Sequence, residues 1–115
     1  MRPRRRRKTA ADDIPPDELA RHVAALHGAP ARFVEAVEVK ETHDGATVWE
    51  GAVKVYALEG HSSGATRVYA WTSPTEAGRR RVFAVLGVEP VTSPAMAVRT
   101  VILAQVREAE RAQAN

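Results

Sequence analysis

The tripeptide His43-Asp44-Gly45 lies between two runs, 32–41 and 47–58, in which apolar and polar residues alternate with a period of two. Aspartate followed by glycine accepts the positive φ values of a tight two-residue turn, so two β-rich runs joined through it specify an antiparallel hairpin. With Asp44-Gly45 at the turn, Phe33 is expected opposite Tyr56 and Glu35 opposite Lys54, both stabilising cross-strand pairs. Gly51 interrupts the second run and is expected to mark a bulge or bend.

The rest of the chain punctuates around this hairpin. Gly60-His61-Ser62-Ser63-Gly64 reads as a loop, followed by two further β-rich runs at 66–72 and 80–88 joined by a turn near Glu76. That turn centre sets Tyr69 beside Phe83, Trp71 beside Arg81, and Arg67 beside Val85. On the N-terminal side, Leu19, Val23 and Leu26 recur at helical spacing over 17–27, with Asp17 and Glu18 at the positive end of the dipole and Gly28 placed to stop the helix. On the C-terminal side, Ser93 caps a helix opening with Pro94 and running to about residue 112, whose apolar stripe is Val98, Val101, Ile102, Val106 and Ala109. The order helix-β-β-β-β-helix specifies an α+β fold, a four-stranded antiparallel meander with an N-terminal and a C-terminal helix packed on one face.

A length of 115 residues suits one domain, placed at 14–115 and preceded by a disordered basic arm at 1–13. Arg2, Arg4, Arg5, Arg6, Arg7 and Lys8 supply six positive charges, so the chain's formal net charge of +3 leaves residues 9–115 at −3. Basicity belongs to the arm, which suits contact with nucleic acid or another polyanion; the competing reading, which weighs more, is a composition rich in arginine throughout the chain. With no cysteine the sequence excludes disulfides, a thiolate zinc site and a thiol nucleophile, and the expected compartment is the cytoplasm. Asp12-Asp13 and Pro15-Pro16 follow the charges where an export signal needs an apolar run, and nothing is long enough to span a membrane.

Three strings carry a resemblance: Tyr69-Ala70-Trp71, the run from Arg80 to Leu86, and Ser93-Pro94 followed by Ala97-Val98-Arg99. They resemble small bacterial α+β proteins with no assigned function, which implies a bacterial cytosolic protein. The element order is similar to that of the double-stranded-RNA-binding domain. That family's second helix opens on a lysine-rich phosphate clamp, whereas Arg99 is the single base in residues 93–99 here.

The sequence points to binding rather than catalysis. Alternation puts Arg67, Tyr69 and Trp71 on one face of the third strand and Arg81 and Phe83 on one face of the fourth, an aromatic surface flanked by guanidiniums. Such a surface is core, a homodimer interface, or a stacking platform for nucleic acid. The expectation is that these rings point away from the helices, so that the protein associates with a copy of itself or another protein. The alternative is a nucleic-acid-associated protein using the same five residues together with Arg4, Arg5, Arg6, Arg7 and Lys8 of the arm. Catalysis by a histidine near the loops ranks last. His22 and His27 are five apart and cannot share a helix face, and His61-Ser62-Ser63 and His43-Asp44 are accounted for by turn chemistry. No metal site or cofactor is expected.

Overall fold

The computed structural model describes residues 14–74 and 80–114. The arm at 1–13 and the turn around Glu76 lie outside them. The elements are α1 (Pro16–His27), β1 (Ala31–His43), β2 (Ala46–Leu58), β3 (Arg67–Pro74), β4 (Arg80–Leu86) and α2 (Pro94–Ala114). All four strands are antiparallel in the order β1-β2-β3-β4, the expected α+β meander.

The β1–β2 turn forms as its residues dictate: Asp44 and Gly45 have φ of 54° and 82°, and His43 pairs with Ala46 across them. Phe33 faces Tyr56, and their rings meet edge to face at 5.8 Å. Between these ends the register differs from expectation. Glu35 faces Val55, and Lys54 faces Ala36, because Val34 is an extra residue in β1 and Val48 an extra residue in β2. The second bulge cancels the first. Gly51 is not a bulge; it stays in register opposite Val39, where a Cβ would lie 3.1 Å from ring carbons of Trp49. Its missing side chain makes room for that indole.

In the β3–β4 hairpin, Tyr69 faces Val85, Trp71 faces Phe83 and Ser73 faces Arg81. This is a slide of two residues from the expected pairing, and an even slide leaves every side chain on its expected face.

The helices do not share a face. One core joins Leu19 and Val23 of α1 to Tyr56, Leu58, Val68 and Ala70, with Val82, Ala84 and Leu86 packed against it. The other joins Ala97 and Val98 of α2 to Val39, Val53, Val55, Tyr69 and Trp71, with Phe83, Val85, Val101 and Ile102 at its margin. Within β2, β3 and β4 the first set is even-numbered and the second odd-numbered, so the two cores lie on opposite sides of one sheet. The physical reason is that both faces of the central strands are apolar, and each needs its own cover to leave water.

Local chemistry sets the helix ends. In α1, Asp17 and Glu18 occupy the first turn, and Gly28, at φ 67°, donates its N–H to the Ala24 carbonyl. The Tyr56 hydroxyl, buried in the sheet, donates to the Pro16 carbonyl at 2.9 Å and pins the start of the helix. In α2 the expected serine cap is present, with Ser93 Oγ accepting the Met96 N–H at 3.2 Å. Arg99 Nε donates to the buried Glu41 carboxylate at 3.2 Å and ties α2 to β1.

Beyond Val106 every described side chain of α2 is exposed, Ala109 of the expected stripe included. A chain ending at Val106 is therefore expected to keep its stability within about 0.5 kcal/mol in urea unfolding. A loss several times larger would mean that the last turns rest on something.

Candidate interaction surface

β3 and β4 turn the predicted residues toward the α2 side of the sheet in four rows: Arg81 with Ser73, Phe83 with Trp71, Val85 with Tyr69, and Gly87 beside Arg67, whose carbonyl accepts the Gly87 N–H at 2.8 Å. A Cβ at position 87 would lie 3.1 Å from Tyr69 Cε2 and 3.2 Å from Arg67 Cβ, so glycine lets the tyrosine settle against the strand end.

The expected open aromatic face is largely closed. Tyr69 is 5% and Trp71 2% exposed, because α2 covers the face on which the helices were not expected. Trp71 lies between Trp49, at 6.0 Å and 57°, and Phe83, stacked at 5.4 Å and 21°. Phe83 and Val85 are half-buried, and Arg67 and Arg81 are exposed. The Arg81 guanidinium carbon sits 5.0 Å from the Phe83 ring centroid, a cation–π contact worth about 0.5–1 kcal/mol at an exposed site. Of the five predicted residues in the sheet, the structure brings Arg81, Phe83 and Trp71 together as one stack. It places Arg67 two rows from the Phe83–Trp71 pair and three from Arg81, and leaves Phe83 as the predicted ring that solvent reaches. Arg4, Arg5, Arg6, Arg7 and Lys8 lie outside the described residues.

Arg80, on the other face, has a buried Nε with no hydrogen-bond partner among the described residues. Arg67, Arg80 and Arg81 form no ion pair with another described residue.

The histidines are placed by other bonds. His22 borders an open depression on α1 with Glu18, Arg21 and Ala25, and His43 Nε2 lies 3.6 Å from Asp44 beside the turn. The remaining two meet: the rings of His27 and His61 are 5.8 Å apart in an edge contact. His27 Nε2 donates to the Ala84 carbonyl at 2.9 Å. His61 Nδ1 accepts the Ser63 N–H at 3.0 Å and the Ser63 hydroxyl at 2.8 Å, while Ser63 Oγ accepts the Ala65 N–H at 3.1 Å. These bonds close the loop on itself, the turn role expected for His61-Ser62-Ser63. Nothing in the local sequence signals the His27–His61 meeting, since the two come from a helix end and a distant loop.

Among the described residues no group of three or more histidine and carboxylate side chains gathers as metal ligands, and no helix is long and apolar enough to cross a membrane. No family model, curated protein or solved structure matches the chain.

Proposed function

We propose that the protein is a non-catalytic interaction module whose contact surface is the strip of sheet that α2 leaves open on β4, and that a second copy of the chain is its partner. The observation carrying this reading is the half-buried Phe83 ring, backed by Trp71 and bearing the Arg81 guanidinium. Aromatic rings and arginines are enriched in interface centres: the rings bury large area at small entropy cost, and the planar guanidinium stacks on them. Residues 9–115 carry a net −3, which offers Arg67 and Arg81 acidic counterparts on another copy.

Light scattering tests it. The full chain is expected at twice the 12.5 kDa of one chain, and Phe83→Asp at the single-chain mass with unchanged far-UV circular dichroism. Arg81→Glu, which leaves the ring in place, is expected to shift the same equilibrium in the same direction. A full chain at single-chain mass at high micromolar concentration would overturn self-association.

One observation favours a second reading: Arg67, Arg80 and Arg81 pair with no described carboxylate, which suits a polyanion. Under that reading a single-stranded oligonucleotide binds at low salt, binding falls steeply as salt rises, and removal of residues 2–8 weakens it.

A further inference from the structure

We propose that the outer edge of β4 is a latent pairing edge for a second copy of this chain, and that His27 holds it shut. In an antiparallel ladder, the residues exchanging bonds alternate with residues whose N–H and C=O point away from the partner strand. The Gly87 N–H bonds to the Arg67 carbonyl, and the β3–β4 ladder below it runs without a bulge. Bonded pairs are therefore those of residues 87, 85, 83 and 81, and the backbone groups of Val82, Ala84 and Leu86 face outward. Ala84 is the middle of that outward row. Its carbonyl is the one His27 Nε2 occupies, a bond that requires the imidazole to donate.

The ring is held for this task. Gly28 ends α1 directly after His27, and the edge of His61 supports the imidazole from the β2–β3 loop. Ser63 in turn fixes His61 through Nδ1, so a continuous set of contacts runs from the loop backbone to the strand edge.

The two edges of the sheet need different protection. β1 carries a bulge and a row of exposed charges, Glu35, Glu38 and Lys40, all deterrents to strand addition. β4 has neither along Val82–Leu86; its two arginines sit at its start, and apolar side chains flank the rest on both faces. A two-fold pairing centred on Ala84 would set Phe83 opposite Val85 and Val82 opposite Leu86 of the other copy. It would set Arg80 and Arg81 opposite residues 88 and 87, so no arginine faces an arginine. This is the arrangement that favours a copy of the same chain over an unrelated strand.

Substitution of His27 tests the proposal. His27→Ala is expected to raise the mass seen by light scattering roughly twofold over wild type as concentration increases, as edge pairing adds to any existing association. His27→Gln, whose side-chain amide can still donate to Ala84, is expected to keep the wild-type mass. Adding Ala84→Pro to His27→Ala removes an outward N–H without touching the β3 ladder, and is expected to restore the wild-type mass. If His27→Ala loses helix by circular dichroism, His61→Ala loosens the same ring and is expected to give a smaller rise. His27→Ala at wild-type mass with native circular dichroism would overturn the proposal, as would association that persists in the proline double variant. Phe83→Asp removes mass where His27→Ala adds it, so this proposal and the Phe83 interface fail separately.

Discussion

Replacing Trp71 with alanine is expected to destabilise the protein by about 3–5 kcal/mol, the range for emptying a buried tryptophan site. The indole is 2% exposed and touches rings on both sides, Trp49 and Phe83, within the core that α2 closes. Domains of this kind have about 5–15 kcal/mol to lose, so the variant would stand near its unfolding threshold. Urea unfolding followed by far-UV circular dichroism measures it, with a lower midpoint at unchanged slope as the expected result. A change under 1 kcal/mol would mean that α2 does not seal this face. The consequence reaches any binding assay: lost binding in Trp71→Ala would report unfolding, whereas Phe83 can be changed while the indole beneath it stays in place.

Leu19→Ala is expected to cost about 2–5 kcal/mol, and Leu26→Ala on the same helix about 0.5 kcal/mol or less. The two leucines lie on one stripe at helical spacing. Leu19 is 0% exposed, whereas Leu26 is 62% exposed near the end of α1, beyond the reach of the even-numbered core. Parallel urea titrations read the contrast directly. Equal losses at the two sites would show that the sheet covers α1 along its whole length.

That contrast also marks how far the sequence could be read. Periodicity located α1, all four strands and α2, because alternation and capping are local properties of side chains. Asp44-Gly45 set the first turn for the same reason: its φ values are properties of two residues. The bulges escaped, since a bulge belongs to two strands jointly and Val34 and Val48 differ in no chemical way from their neighbours. Gly51 drew attention as an interruption, yet its reason is a single indole two residues earlier. In β3–β4 the expected pairing was two residues out while the facing was correct, because facing depends on parity alone and pairing depends on where the connecting turn is centred.

The interaction surface was legible in composition and not in exposure. Alternation showed that β3 and β4 are apolar on both sides, but it does not say which helix covers which side. Placing both helices on the aliphatic face left Tyr69 and Trp71 open; dividing them between the faces buries both and leaves Phe83 and Arg81 at the margin. The His27 contact was beyond reach for a further reason. Its acceptor is the Ala84 backbone carbonyl, so no residue type in β4 announces it.

Val34 and Val48 give the first hairpin a spare residue on each strand. Because side chains flanking each valine already alternate as an uninterrupted ladder would have them, loss of either residue straightens the pairing and turns nothing over. Both valines are among the exposed apolar residues, so little packed surface leaves with them. Length can drift by one codon at these two places during divergence, while a deletion among residues 53–58 would turn part of β2 over and aim its residues at the wrong core.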